Sequence, residues 1–151
     1  MPPESPQDQL RRTVEQLRSA NDKMMQGESG AWKELLSSHD DVVLLGAFGG
    51  YIHDRAEVDA RFDRTAHAYA GGHASFENLA TWIGADLACT VDLERHHDQH
   101  LAGRGPMTIT YRVTHVFRRE PEGWKVILRH ADPLAEFRGP ESVFPPGLPN
   151  R

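Results

Sequence analysis

The spacing of apolar side chains predicts three helices in the first half of the chain. In each of them apolar residues recur every three or four positions, as one face of an α-helix requires. Capping boxes at Ser5 and Asp54 predict where the first and third helices begin. The predicted helices cover about residues 5–26, 29–39 and 54–70. A nearly continuous apolar run at residues 41–48 predicts a buried strand ahead of the third helix.

The second half of the chain predicts strands rather than helices. It is rich in β-branched and aromatic residues that alternate with polar ones, in segments joined by Gly-rich and Pro-Glu-Gly turns. The predicted strands cover about residues 73–83, 85–97, 105–119 and 124–132. Short turns between consecutive strands predict an antiparallel meander. Helices followed by a run of strands indicate an α+β fold, and we expect a curved sheet that forms a cone with a cavity at its mouth.

Length and composition indicate one domain. The 151 residues carry a formal net charge of -5 without a block of lysine and arginine, which argues against nucleic acid as a partner. We expect the domain to span residues 1–132, followed by a Pro- and Gly-rich tail at 133–151 that packs loosely or is disordered. We expect neither a signal peptide nor a membrane-spanning segment. The single cysteine, Cys89, excludes an intramolecular disulfide, so the expected location is cytoplasmic.

The last two predicted strands carry the most family-specific residues of the chain. Residues 112–119, Arg-Val-Thr-His-Val-Phe-Arg-Arg, and residues 123–132, which begin Gly-Trp-Lys-Val-Ile and end His-Ala-Asp, resemble the closing hairpin of SnoaL-like proteins. Those proteins belong to the nuclear transport factor 2-like superfamily, together with ketosteroid isomerase and the association domain of calmodulin-dependent kinase II. The resemblance covers about residues 8–132 and implies the same cone-shaped fold. It does not imply one reaction, because this fold serves enzymes, binding proteins and assembly modules.

The kinase association domain offers a closer comparison around the pocket. Its pocket strand resembles residues 76–79, Phe-Glu-Asn-Leu. The resemblance implies pocket arginines at the positions of Glu94, His115 and Ala131, and this chain has none of the three. We therefore expect acid-base chemistry or neutral polar recognition rather than an anion held by an arginine cluster.

Strand alternation assigns side chains to the two faces of the predicted sheet. Asp92 and Glu94 share one face, which the resemblance implies is the pocket face. The opposite face of the same strand carries an apolar row, Leu87, Cys89, Val91 and Leu93. An exposed apolar row of this size needs a partner, so we expect a homodimer. The same register points Arg112, Arg118 and His130 outward.

The predicted pocket combines aromatic and aliphatic walls with a few polar groups. The residues expected to bind a ligand are Trp32, Tyr51, Phe62, Tyr111, Val113, Phe117, Ile127 and Arg129. For catalysis, Glu94, or Asp92 deeper in the cone, is the candidate general base. His115 or Tyr111 is the candidate donor to a developing oxyanion. We expect the apolar cone to raise the pKa of the catalytic carboxyl toward neutrality.

Other interpretations of the same residues stay open. Glu94 can instead form an ion pair with Arg129 or Arg112 across the sheet, which would only satisfy a buried charge. The histidine cluster at residues 96–100 resembles a metal site, but it lies next to a predicted hairpin tip. We expect solvated histidines there and no bound metal.

The sequence therefore predicts a protein that binds a small, largely apolar molecule and needs no cofactor. Motifs for nucleotide-driven or acyl-transfer chemistry, such as a phosphate loop or a Gly-x-Ser-x-Gly elbow, do not occur in the 151 residues. Two classes of function stay open. The protein is either a cofactor-independent isomerase, cyclase or dehydratase, or a non-catalytic ligand-binding or oligomerisation module.

Overall fold

The computed structural model describes residues 1–149. Three α-helices and five strands follow one another in the order that the sequence predicts. Their bounds are α1 Pro6–Met25, α2 Gly30–Leu35, β1 Val43–Leu45, α3 Arg55–Ala68, β2 His73–Ile83, β3 Leu87–Leu101, β4 Arg104–Glu120 and β5 Gly123–Pro133. A short 3₁₀ turn, Pro140–Val143, follows in the tail.

The predicted caps are present at both long helices. The Ser5 hydroxyl accepts a hydrogen bond from the Asp8 N–H at the start of α1 (3.1 Å). The Asp54 carboxylate accepts one from the Glu57 N–H at the start of α3 (2.9 Å). These bonds satisfy N–H groups that have no partner inside the helix, so the predicted starts of α1 and α3 are confirmed.

The five strands form one sheet in the order β1-β5-β4-β3-β2. Strands β2 to β5 are the predicted antiparallel meander, while β1 joins β5 in parallel. Strand β1 is only three residues long because the chain reverses at Gly46–Gly50, after which Ile52 pairs back onto Leu44. The predicted α+β cone is confirmed, as a mixed and curled sheet that stays open.

Bulges interrupt the regular alternation of the meander. The extra residue is Leu79 in β2, one of His97 and Asp98 in β3, and Ile127 in β5. One extra residue reverses the direction of every side chain beyond it, relative to a regular strand. The bulges in β3 and β5 therefore decide which side chains reach the interior.

The bulge in β5 corrects two predictions. Regular alternation predicts Ile127 in the pocket and Trp124 on the far face, and both predictions are wrong. Ile127 is the unpaired residue of the bulge and lies outside the pocket. Trp124 is 3% exposed, packs into the core, and its indole N–H donates to the Pro6 carbonyl (3.1 Å).

The core lies between the helices and the inner face of the sheet. Its large buried side chains come from all three helices and from β4 and β5. They include Leu10, Leu17, Met25, Trp32, Leu35, Val58, Phe62, Phe117, Trp124 and Val126. These side chains fill much of the interior, and a cavity lined by residues of β1, α3, β3, β4 and β5 lies beside them.

The tail leaves the body of the domain directly after β5. The Leu134 N–H still bonds to the Thr110 carbonyl (2.8 Å), but Phe137 is 95% exposed. The domain boundary at residue 132 stays a prediction, and residues 150–151 lie outside the described part of the chain. Within residues 1–149, no helix combines the length and the apolarity needed to cross a membrane.

Candidate functional site

Four polar side chains meet inside the cone, on the inward face of β3, β4 and β5. They are Glu94, His96, His115 and Arg129. Glu94 and His96 are two residues apart and share a face of β3, and His115 is the cross-strand partner of Arg129. The inward direction that alternation predicts for Glu94, His115 and Arg129 is the one the structure has. Sequence analysis did not include His96 in this group.

Glu94 and Arg129 form a buried ion pair with two hydrogen bonds. Arg129 Nη2 lies 3.0 Å from Glu94 Oε1, and Nη1 lies 3.1 Å from Oε2. Burial alone would raise the pKa of Glu94, but the guanidinium of Arg129 and the hydrogen bond from His96 hold that pKa well below its usual range. The expected raised pKa is therefore wrong, because it considered the apolar surroundings without the cation. The alternative, an ion pair with Arg129, is confirmed.

His115 is buried against Trp32 and kept neutral. Its Nε2 accepts a hydrogen bond from Arg129 Nη1 (2.9 Å), which leaves the ring proton on Nδ1. The ring centroids of His115 and Trp32 are 5.7 Å apart. Burial and the positive charge of Arg129 lower the pKa of His115 to about 3. His115 thus serves as an acceptor that holds the Arg129 side chain in place.

His96 is the part of the cluster that borders the cavity. Its Nε2 lies 2.6 Å from Glu94 Oε1, and its Nδ1 lies 2.9 Å from Gln99 Oε1. The residue is only 6% exposed, so the prediction of a solvated histidine is wrong for His96. Within residues 1–149, no three histidine, cysteine or carboxylate side chains are placed to hold a metal ion.

Two tyrosine hydroxyls lie beside His96. Tyr69 Oη is 3.4 Å from His96 Nδ1, and Tyr111 Oη is 3.4 Å from Gln99 Oε1. Both distances are at the outer limit of a hydrogen bond, so neither hydroxyl has a strong partner. Burial raises the pKa of both phenols. Both therefore stay protonated at neutral pH and can donate to a ligand.

A cavity of about 70 Å³ opens next to this cluster. Its lining combines apolar and polar side chains. The lining residues are Leu44, Gly46, Ala47, Phe48, Arg61, Phe62, Thr65, Tyr69, His96, Tyr111, Arg129 and Ala131. Three of the predicted ligand-binding residues, Phe62, Tyr111 and Arg129, are in this lining. Glu94 and His115 lie behind it and act on it through Arg129 and His96.

Four other predicted ligand-binding residues lie elsewhere. Trp32, Val113 and Phe117 are at most 2% exposed, and they pack in the core rather than on the cavity wall. Tyr51 is 74% exposed because the turn at Gly46–Gly50 carries it out to the surface. For these residues the prediction of a pocket wall is wrong.

Asp92 is buried apart from the cavity, on the side of α1. Asn78 Nδ2 donates to its Oδ1 (2.8 Å), and Arg18 of α1 contributes a nearby positive charge. Burial nevertheless raises the pKa of Asp92. Neither candidate carboxylate lines the cavity, and Glu94, which contacts the lining residues His96 and Arg129, is the one whose pKa is lowered.

The lining that sequence analysis missed comes largely from α3 and the turn after β1. Thr65 and Tyr69, which were not predicted, follow the predicted Phe62 at spacings of three and four residues, so one face of α3 and its C-terminal cap borders the cavity. That spacing is visible in the sequence, where it reads equally well as a core-facing stripe. Ala47 and Phe48 line the mouth because the chain reverses there, which alternation does not predict.

The outward charges behave as expected. Arg112 pairs with Asp132 (2.7 Å), and both side chains are largely exposed. Arg118 pairs with Asp41 (2.5 Å) at the other end of the sheet. The His130 ring nitrogen is 3.8 Å from the Asp132 carboxylate, which is too long for the hydrogen bond of an oriented imidazole.

No protein-family model matches the sequence, and no curated protein matches it significantly.

The fold, in contrast, has clear counterparts. A nuclear transport factor 2-like superfamily protein from Salmonella enterica aligns with a TM-score of 0.76, 12% identity, and coverage of 90% of this chain and 96% of its own. A ketosteroid isomerase-like protein from Erwinia carotovora aligns with a TM-score of 0.65 and 13% identity, over 83% of this chain and 93% of its own. A candidate calcium/calmodulin-dependent protein kinase type II association domain from Thiobacillus denitrificans aligns with a TM-score of 0.68 and 19% identity, over 83% of this chain and 94% of its own. The TM-scores show that the chain has the nuclear transport factor 2-like fold. The sequence identities are too low to show an activity.

Proposed function

We propose that the protein binds a small, largely apolar molecule with one polar end in the cone cavity and moves a proton on it with His96, without a cofactor. The observation that carries this proposal is the 2.6 Å contact of His96 Nε2 with Glu94 Oε1, on a histidine that borders the cavity. An ionised carboxylate that accepts from one ring nitrogen orients the imidazole, and the other nitrogen, Nδ1, exchanges its 2.9 Å contact with Gln99 Oε1 for the ligand when it transfers a proton.

The lining of the cavity defines the ligand. Leu44, Ala47, Phe48, Phe62 and Ala131 offer apolar contacts, and the volume of about 70 Å³ favours a small molecule. The polar part of the lining offers the tyrosine hydroxyls and His96. A carbonyl oxygen placed there would receive hydrogen bonds that the hydroxyls now make only at 3.4 Å.

The chemistry that this arrangement supports is proton transfer at carbon. His96 Nδ1 takes a proton from the carbon next to a carbonyl, and the electron pair moves onto the carbonyl oxygen. Tyr69 and Tyr111 donate hydrogen bonds to that oxyanion. Return of the proton to another carbon gives an isomer, and loss of a β-hydroxyl as water gives a dehydrated product. In this proposal Glu94 orients His96, and Arg129 keeps Glu94 ionised.

His96→Gln is expected to remove catalysis, because glutamine keeps a polar side chain beside Glu94 but cannot carry the proton. The assay is deuterium exchange of the α-protons of cyclopentenone and cyclohexenone in D2O, followed by NMR. We expect the wild-type protein to accelerate exchange above buffer, and the variant to lose about 10²-fold or more of the excess rate.

The matched control is the adjacent histidine. His97 lies on the outside of the sheet, stacked on His73 with ring centroids 5.1 Å apart, so His97→Gln should keep the wild-type rate. Equal exchange rates for the wild type and His96→Gln would contradict the proposal. Ketone-induced shifts of cavity resonances without accelerated exchange would favour the alternative, a non-catalytic binding protein.

We also propose that the outer face of the sheet forms a homodimer. Cross-strand partners point to the same side of a sheet, and the outer face carries such a row across four strands. The row is Trp82, Cys89, Val116 and Leu128. Trp82 is 61% exposed, and Leu87 beside it is 52% exposed. A second copy would cover this face by two-fold symmetry, in the cytoplasm that the single cysteine favours.

Trp82→Glu is expected to dissociate this dimer, because it places a charge in an apolar contact that would be lost from water. Light scattering after size exclusion should give twice the chain mass for the wild type and the chain mass for the variant. Phe137→Glu, at a still more exposed apolar residue in the tail, should leave the dimer intact. A monomeric wild type would overturn the dimer proposal.

A further inference from the structure

Gln99 reaches the interior only because of the bulge in β3. His96 pairs with Ile109 and Gln99 pairs with Met107, so two residues of β3 stand opposite one residue of β4. Asp98, within the bulge, has a φ of 49°, a left-handed backbone conformation. Gln99 is consequently turned to the same side as His96, and it is completely buried. A regular strand would have pointed it to solvent.

Two glycines hold the backbone of Gln99 in this position. A Cβ atom on Gly105 would lie 2.4 Å from the Gln99 carbonyl oxygen, and one on Gly72 would lie 3.1 Å from its Cα. No larger residue fits at Gly105 without moving that backbone, and the φ of Gly105 is +136°. The backbone of Gln99 is therefore confined on both sides, and its side chain starts from a fixed point.

The hydrogen bonds of Gln99 depend on which nitrogen of His96 carries a proton. Glu94 is an ionised acceptor, so the 2.6 Å contact requires a proton on His96 Nε2. With Gln99 Oε1 turned toward Nδ1 (2.9 Å), a hydrogen bond forms only if that nitrogen also carries a proton, so this orientation of the amide matches an imidazolium ring. In this orientation the Gln99 Nε2 is buried without a partner.

A half-turn of the amide satisfies the other protonation state. Gln99 Nε2 then donates to the lone pair of Nδ1 on a neutral His96, and the buried amide donor gains an acceptor. The Tyr111 hydroxyl, which lies 3.4 Å from Oε1 in the first orientation, would then face the amide nitrogen and accept from it. Each protonation state of His96 thus has one matching orientation of Gln99.

We propose that Gln99 is a positioning residue whose amide rotates with the proton of His96, presenting Oε1 to the imidazolium and Nε2 to the neutral ring. This lets one buried histidine serve as acid and as base without a lost hydrogen bond in either state. The inference deepens the proposed function and rests on it for the role of His96 in catalysis.

The other groups that face His96 do not provide this exchange. Glu94 on β3 accepts only, and Arg129 on β5 donates only. Tyr111 on β4 and Tyr69 after α3 are hydroxyls at 3.4 Å or more from the nearest partner. His115 is occupied by Arg129. Only the amide of Gln99 offers both a donor and an acceptor at short range.

The test is ¹⁵N NMR of the imidazole nitrogens at pH 7, which needs no substrate. Gln99→Glu offers only acceptor oxygens and is expected to raise the doubly protonated fraction of His96 at least threefold. Gln99→Met offers neither group and is expected to lower that fraction, while His96 Nε2 keeps the proton that it donates to Glu94. Gln16→Glu, at an exposed glutamine of α1, should match the wild type.

Unchanged nitrogen shifts in Gln99→Met would overturn the inference, and that variant decides the matter even where Gln99→Glu does not fold. The result is separable from the fate of the proposed function. Shifts as expected without ketone exchange would keep the role of Gln99 and remove the catalysis. Ketone exchange with unchanged shifts would keep the catalysis and remove the role of Gln99.

Discussion

Replacement of Arg129 by methionine is expected to lower the free energy of unfolding by about 3–5 kcal/mol, the usual effect of breaking a buried ion pair from one side. The substitution removes both hydrogen bonds to the fully buried Glu94 and the bond to His115 Nε2. Glu94 would then keep only His96 as a partner inside the protein. The cost comes from the buried carboxylate that is left, rather than from the lost volume.

Urea unfolding measures this loss, and two further variants locate its cause. Glu94→Gln combined with Arg129→Met removes both charges, so it should recover much of the stability that Arg129→Met loses. Arg112→Met breaks the exposed pair with Asp132 and should cost at most about 1 kcal/mol. Equal losses in Arg129→Met and Arg112→Met would contradict the assignment of a buried, strongly coupled pair.

Acidification is expected to destabilise the protein through His115. Its pKa in the folded protein is about 3, against about 6.5 for an unperturbed histidine, so near pH 5 the unfolded chain binds a proton that the folded protein does not. Stability is therefore fully present above about pH 6.5 and falls as the pH drops toward 3. One proton changes the stability by at most about 1.4 kcal/mol per pH unit, which gives about 3 kcal/mol by pH 4.5.

The variant that tests this effect is His115→Gln, which keeps an acceptor for Arg129 and has no proton to bind. Urea unfolding at a series of pH values should show a shallower fall in stability for this variant between pH 6.5 and 4.5. His67→Gln changes an exposed histidine of α3 and should keep the wild-type slope. A wild-type slope in His115→Gln would mean that other groups cause the acid sensitivity.

Local signals in the sequence were sufficient for the fold. Ser5 and Asp54 marked helix starts because a capping side chain satisfies orphan N–H groups wherever it stands. The alternation of apolar and polar residues marked the inner face of β3 and β4, which is why Glu94 and His115 were found. These features depend on neighbours in sequence, so a single chain contains the information they need.

The site was predicted less well because it depends on distant contacts and on bulges. The direction of the Glu94 pKa follows from Arg129, which is 35 residues away and arrives there from another strand. Ile127 and Gln99 take opposite sides from those that a period of two predicts, since Ile127 is itself an inserted residue and Gln99 directly follows an insertion. Nothing in the side-chain pattern marks the insertion. The predicted pocket position of Tyr51 is wrong for a similar reason, because the turn at Gly46–Gly50 carries its side chain to the surface.

The bulge at Leu79 has a consequence for the way copies of the chain meet in crowded solution. Strand β2 is at the margin of the sheet, where one line of its amide and carbonyl groups faces away from β3. A regular edge strand of this length could form backbone hydrogen bonds with strands of misfolded chains, which would then add one after another. The inserted Leu79 interrupts the regular backbone pattern of β2 near its middle, so an incoming strand can pair in register with only one half of the edge. The bulge at Leu79 thus opposes edge-to-edge aggregation into fibres.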